Sequence, residues 1–242
     1  MDHGVVLSAL GAIGGLALCF YGFRLNRRKR LIETTPTSAI RSLAVGLVEV
    51  IGKATTNGPM LSAPFSGMPC VFFFYKVEER QRIGKEDKWV TLATGQSPQA
   101  FAVRDATGTI TVIPSGAELL LETQGTYRNS PHRDFSAAAE AGLTALGIAS
   151  SGLLSSKFLR CTEGFILPEQ TVYVLGTAHE GDQDQIANEA RLFIGSHFDR
   201  AFIIADRSER DLLARLRWQV MALFLGGPAL TAACVWGFLR FL

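Results

Sequence analysis

What the chain lacks narrows its chemistry first. Four cysteines (Cys19, Cys70, Cys161, Cys234) and four histidines (His3, His132, His179, His197) are scattered over 242 residues. No histidine lies in an H-E-x-x-H pattern and none accompanies a C-x-x-C pair, so no zinc site is expected. Gly46, Gly52, Gly58 and Gly67 are too dispersed for a phosphate-cradling loop, and no G-x-S-x-G nucleophile elbow occurs. Net charge is only +2, from 24 Lys and Arg against 22 Asp and Glu, which makes no electrostatic case for nucleic acid. No catalytic, cofactor-binding or metal-ligating residue is therefore assigned, and no cofactor is expected.

What is present is apolar surface, at 48% of residues, concentrated at the two ends. Gly4 to Phe23 is a charge-free run of 20 residues, long enough to cross a hydrocarbon core about 30 Å thick. Arg24, Arg27, Arg28, Lys29 and Arg30 follow it, and only Asp2 and His3 precede it. A cleaved signal peptide would carry its positive charge ahead of the run, so an anchor is expected. Trp218 to Leu239 is a second charge-free run with Trp218 and Trp236 near its ends, and Gly226-Gly227-Pro228 is expected to kink it. Gly11 and Gly15, and Ala229, Ala233 and Gly237, recur at four-residue spacing, which lets helix backbones approach one another or a second copy. Neither run holds an internal charge, which argues against a channel or carrier.

These runs set the domain reading: transmembrane helices at 4–23 and 218–239 enclosing a soluble domain at 24–217. Arg24 to Arg30, with Arg207, Arg210, Arg215 and Arg217, flank the central domain, while Arg240 alone lies beyond an outer end. The positive-inside bias places that domain in the cytoplasm, and the basic cluster beside the first run would be drawn to anionic head groups.

The centre reads as α+β and strand-rich. Ala44 to Ile51, Ala117 to Glu122 and Ala201 to Ile204 are strand-like, and Cys70 to Tyr75 suits a buried strand that emerges into solvent at Lys76 to Arg80. Trp89 to Ala93, Ala100 to Arg104 and Thr109 to Ile113 read as a meander, with a turn at Asp105-Ala106-Thr107-Gly108. Lys157 to Gly164 and Thr171 to Gly176 read as a strand pair turning at Leu167-Pro168-Glu169. A helix is expected in the first half of Asp134 to Leu154, with Asp as its start signal. Asp182 to Ala190 reads as an acidic loop or short surface helix, and Ser208-Glu209-Arg210-Asp211 as the start of a helix running into the second span.

Among chemically capable groups, Glu78-Glu79 and Glu163 with Glu169 could be paired carboxylates; the competing reading is solvated strand ends partnered by Arg80 and Arg160. His132 and Arg133 are placed in an exposed loop, and Phe72 to Tyr75 in the core. Cys70 and Cys161 are either one bridge in an oxidising compartment or two buried free thiols.

The order of several short motifs resembles the MULAN/GIDE family of membrane-bound E3 ubiquitin ligases and its shorter prokaryotic members. They are Arg27-Arg28-Lys29-Arg30-Leu31-Ile32-Glu33, Pro36-Thr37-Ser38, Gly46 to Lys53, Pro69-Cys70-Val71, Tyr75 to Glu79, Thr162-Glu163, Val172 to Gly176 and Phe202 to Glu209. The resemblance implies a "beside a membrane" (BAM) domain that recognises partner proteins between two transmembrane helices. In the ligases a zinc-binding RING follows; four Cys and four His without zinc spacing supply no RING residue here. In the mitochondrial ligases the domain faces the intermembrane space, which corresponds to a bacterial periplasm; the arginines favour the cytoplasmic side of a bacterial inner membrane.

The expected function is a membrane-anchored interaction module without its own catalytic site, binding the bilayer and an unidentified protein, with a homo-oligomer through the helices as a further option. The alternatives are an E3 ligase-family protein acting with a separate RING partner, or an unrecognised hydrolase.

Overall fold

The computed structural model describes residues 3–129, 134–150, 157–181, 192–198, 201–206 and 209–240. The chain divides into two compact units, residues 1–36 with 208–242, and residues 37–207. Its helices are α1 (His3–Thr34), α2 (Ala137–Ala145) and α3 (Glu209–Arg240). Its strands are β1 (Gly46–Thr56), β2 (Leu61–Ser62), β3 (Pro69–Cys70), β4 (Phe72–Ile83), β5 (Glu86–Gln96), β6 (Phe101–Arg104) and β7 (Thr109–Val112). They continue with β8 (Glu118–Leu120), β9 (Gly125–Arg128), β10 (Leu159–Ile166), β11 (Thr171–Glu180), β12 (Leu192–Gly195) and β13 (Ile203–Ala205).

In the first unit α1 packs on α3. Alpha-1 runs past the apolar segment through the basic cluster to Thr34, because Arg, Lys, Leu and Glu sustain a helix and no breaker intervenes before Pro36. Lys29 and Glu33 pair one turn apart at 3.2 Å. The small residues lie at the helix contact: a Cβ on Gly11 would overlap Cys234 Sγ, and one on Gly227 would lie 2.7 Å from Cys19 Sγ. Phe23 meets Phe224 edge-on at 5.0 Å. Alpha-3 continues unbroken across Pro228, where Thr231 Oγ1 donates to the Gly227 carbonyl at 3.0 Å. Among the described residues one stretch, Arg217–Gly237, is long and apolar enough to cross a membrane, with mean hydropathy 1.7.

The second unit is a strand-rich α+β domain built on a closed ring. Beta-1 pairs with β6, β6 with β7, β7 with β12, β12 with β11, and β11 returns to β1. All contacts are antiparallel except β7–β12, which is parallel. Counting ring strands in chain order, the path is 1-2-3-5-4-1, the Greek-key connectivity of an OB-type five-stranded barrel. Val50, Phe72, Phe101, Val103, Val112, Val174 and Ile194 fill the interior. Gly52 sits where β1 passes from β11 to β6: a Cβ there would lie 2.6 Å from the Arg104 carbonyl oxygen, so backbone approaches backbone at this corner of the barrel. Beta-13 and β8 extend the sheet beyond β11.

Two long excursions from the barrel build a second sheet, ordered β5-β4-β10-β9. One face carries Val77, Leu159, Cys161 and Tyr127 against α2 and Phe65. The helix begins at Ser136, whose hydroxyl accepts from Ala139 N at 3.3 Å; the cap is thus Ser136, two residues after the expected Asp134.

The strands that periodicity placed are present, but β2, β9 and β12 were not expected, and two pairings differ. Beta-5 leaves the meander and pairs with β4 across a two-residue turn, with Gly84 at φ +68°. Ser97-Pro98 then interrupts the ladder before β6, since proline offers no N–H. Beta-10 and β11 do not pair with each other. The Leu167–Gln170 turn, with Glu169 at φ +63°, carries the chain from one sheet to the other and is held on β1 by Glu169 N to the Ala54 carbonyl at 2.8 Å. Beta-4 emerges into solvent from Arg80, as expected, and continues to Ile83 because β5 pairs along its side. Asp182 to Ala190, His132, Arg133 and Ser208 lie outside the described residues.

Candidate functional site

Adjacent residues of a strand project to opposite faces, so Glu78 and Glu79 of β4 cannot form a carboxylate pair. Glu79 turns to Gln81 at 2.7 Å. Glu78 is buried, and its Oε2 accepts from Arg160 Nε and Nη2, both at 2.7 Å. Lys76 Nζ lies 2.6 Å from its other oxygen. The register that sets Arg160 opposite Glu78 makes this contact, and the guanidinium stacks 4.4 Å from the Trp89 ring. Burial pushes the Glu78 carboxyl upward, but the Lys76 and Arg160 contacts outweigh it and hold it below the usual carboxylate value. Arg160 is the expected partner, though Glu78 is not at a solvated strand end.

Glu163 and Glu169 do not converge. Glu169 sits on the exposed turn and pairs with Arg104 at 2.8 Å. Glu163 is fully buried beneath α2, which overturns its reading as a solvated group. Its Oε2 accepts the Phe65 N–H at 2.8 Å and its Oε1 the Tyr127 hydroxyl at 3.1 Å. Cys70 and Cys161 are free, buried thiols. Burial and then the nearby Glu163 charge raise Cys70 to about 11. Burial, with Glu140 and Glu163, raises Cys161 to about 12, so neither supplies thiolate at neutral pH. Tyr127 is likewise raised by burial and by Glu163.

A third buried carboxylate, Glu49 of β1, was not singled out in the sequence. It accepts from Thr37 Oγ1 at 2.6 Å and from Tyr173 OH at 2.8 Å. The signal for it is Val48-Glu49-Val50, an acid inside an otherwise apolar strand. His179 stacks on Phe193 at 5.3 Å and on His197 at 6.0 Å, and its Nε2 and the Thr177 hydroxyl are buried without a hydrogen-bond partner among the described residues. Parallel stacked imidazoles do not aim their nitrogens at one point. Among the described residues no group of three His, Cys, Asp or Glu could hold a metal ion. Of Phe72 to Tyr75 only Phe72 is fully core, tilted on Phe101 at 5.9 Å; the other three are half-buried, with Tyr75 edge-on to Phe65 at 6.1 Å.

A concave feature of this sheet lies where its last strand meets α2. A cavity of about 640 Å³ is lined by Thr126, Tyr127 and Arg128 of β9 and by Asp134, Phe135 and Ser136 at the helix start. Tyr127 joins this cavity to Glu163. Sequence reasoning assigned none of these lining residues a role, because the cavity arises from a strand and a helix that meet only in the fold. The arrangement offers a cation, an aromatic wall and a strand edge, which suit binding.

Residues 74–237 match a family model described as GIDE, E3 ubiquitin ligase. No curated protein and no solved structure matches the chain.

Proposed function

The chain belongs to the GIDE family, and on that premise we propose that it is a membrane-anchored module that binds another protein beside the bilayer. The observation that carries this reading is the way the strand-rich unit is joined to its helices. It begins at Thr37, three residues after α1 ends, and closes at Arg207, two residues before α3 begins. If both helices span, the unit is tethered to the bilayer at both of its ends. The arginines at both connections favour the cytoplasmic side.

The test is site-specific photo-crosslinking of the full chain in native membranes, with probes at the exposed Thr94 and Thr126. Discrete adducts from a chain that resists carbonate extraction are expected. Recovery of the chain in the carbonate-soluble fraction overturns the reading. A reporter inserted at the Gly84-Lys85 turn should behave as cytoplasmic; alkaline-phosphatase activity there would reverse the orientation.

The family description favours a second reading, a ubiquitin-ligase component that works with a separate RING protein. Purified chain is expected to bind no stoichiometric zinc and not to stimulate ubiquitin discharge from a charged conjugating enzyme in single turnover. Stimulation abolished by Cys70→Ser or Cys161→Ser would establish this second reading instead.

A further inference from the structure

Beta-9 is the outer strand of the second sheet, and its position is fixed at both ends by side-chain amides. At one end Gln124 Nε2 donates to the Phe165 carbonyl at 3.1 Å, and its Oε1 accepts the Phe165 N–H at 2.8 Å. At the other end Asn129 Nδ2 donates to the Lys157 carbonyl at 2.6 Å, and its Oδ1 accepts the Leu159 N–H at 2.7 Å. Gln124 N also reaches the Glu163 carbonyl at 3.1 Å. The odd-numbered residues of β10 thus face β9. By the alternation of an antiparallel ladder, the Gly125 and Tyr127 backbones face β10. The N–H and C=O groups of Thr126 and Arg128 then point away from the sheet, with no backbone partner among the described residues.

The two faces of this edge differ. Arg128 stands directly opposite Arg160, a juxtaposition of like charges that is unfavourable by itself. Arg160 is drawn off to Glu78 and Trp89, while Arg128 is exposed and has no ion pair among the described residues. On the other face Tyr127 and Phe135 form the apolar part of the cavity of about 640 Å³, whose lining is completed at the strand edge and helix start by Thr126, Arg128, Asp134 and Ser136.

We propose that the β9 edge accepts an extended segment of a partner protein as an added strand. A carboxylate of that segment sits over Arg128, and the neighbouring apolar side chain enters the Tyr127–Phe135 cavity. The inference rests on reading the domain as a protein-binding module. Main-chain bonds to Thr126 and Arg128 supply the pairing, and the acid–apolar order supplies the selectivity, because consecutive residues of the added strand fall on opposite faces. The amide clamps at Gln124 and Asn129 hold the edge ready, which lowers the ordering cost of binding.

The probe is a fluorescein-labelled hexapeptide of sequence TVELTV, titrated by anisotropy against the full chain in detergent. Saturable binding below about 1 mM is expected. N-methylation of the glutamate amide, which points at the edge, abolishes it; N-methylation of the leucine amide, which points away, leaves it. Arg128→Glu weakens binding at least about tenfold, and the peptide TVKLTV restores it on that variant. Arg128 is exposed, so this variant folds. No binding, equal effects of the two methylations, or indifference to the charge swap overturns the proposal, as does Arg128-dependent binding to phosphatidylglycerol vesicles in place of the peptide. Native-membrane adducts from Thr94 but not Thr126 would also overturn the proposed edge, while leaving the interaction-module reading in place.

Discussion

Alanine stabilises an exposed helix position over glycine by about 1 kcal/mol, so Gly142→Ala in α2 would gain that much if the site were open. It is not. Gly142 is buried on the inner face of the helix. A Cβ there would overlap the Pro64 carbonyl oxygen, lie 2.8 Å from the Pro64 carbonyl carbon and 3.1 Å from Phe65 Cδ1. Phe65 cannot yield freely: it is fully buried, its N–H donates to Glu163 at 2.8 Å, and its ring contacts Tyr75 and Tyr127. Either α2 lifts or the Pro64-Phe65 segment moves. Overpacking of this kind costs about 1–3 kcal/mol, and loss of a buried bond to a carboxylate about 1.5–3 kcal/mol. After the propensity gain, a net destabilisation of about 1.5–5 kcal/mol is expected. Urea unfolding of the full chain in detergent, followed by near-ultraviolet circular dichroism, measures it. Thr144→Ala, exposed in the same helix, should change stability by less than about 0.5 kcal/mol. A Gly142→Ala protein as stable as the parent, or more so, would refute the account of how α2 seats on the sheet.

Three further outcomes follow from the same structure. The thiols of Cys161 and Cys70, raised to about 12 and about 11, contribute stability that is fully present below the unfolded thiol value. It is lost as pH rises above about 9 toward these folded values. Comparing unfolding curves of the parent and the Cys70→Ala/Cys161→Ala protein isolates that alkaline limb, and alkylation at pH 8 should leave both native thiols unmodified. Asp105 accepts from Ile40 N at 2.9 Å, Thr107 N at 2.6 Å, Thr107 Oγ1 at 2.7 Å and Gly108 N at 2.8 Å. Burial raises this carboxyl, but the four bonds outweigh it and hold it below the ordinary value. Its stabilisation is therefore present above about pH 4 and lost as pH falls through the depressed value. Asp105→Ala should cost about 1–3 kcal/mol at neutral pH and flatten the acid limb of a pH–stability profile. Arg160→Met leaves Glu78 buried with Lys76 alone and removes the stack on Trp89; a loss of about 2–4 kcal/mol is expected by chemical denaturation, against less than about 1 kcal/mol for the more exposed Lys76→Met.

Local pattern carried the elements of the fold a long way. The run from Cys70 to Tyr75, the Asp105 to Gly108 turn and the helix after Asp134 were legible because each is written in neighbouring residues. So was the family, through the order of short motifs along the chain. The missed turn at Gly84-Lys85 had a local signal too, a glycine between two charged, strand-forming segments. The cavity beside β9 had none. Its walls, Tyr127 and Phe135, are eight residues apart in sequence, and it exists because both face the same layer.

The sequence by itself determined the two long apolar segments, the α+β character of the residues between them and the absence of zinc-ligand spacing. Tertiary structure decided which strands pair. Beta-10 and β11 are neighbours along the chain yet belong to different sheets, because the Leu167–Gln170 turn docks on β1. Tertiary structure also decided the state of Glu49, Glu163 and Glu78, whose surroundings come from strands up to 124 residues away. A strand's alternation tells which of its faces is apolar, but its hydrogen-bonding edges are the same for every sequence. The choice of neighbour is therefore made by the packing of distant residues.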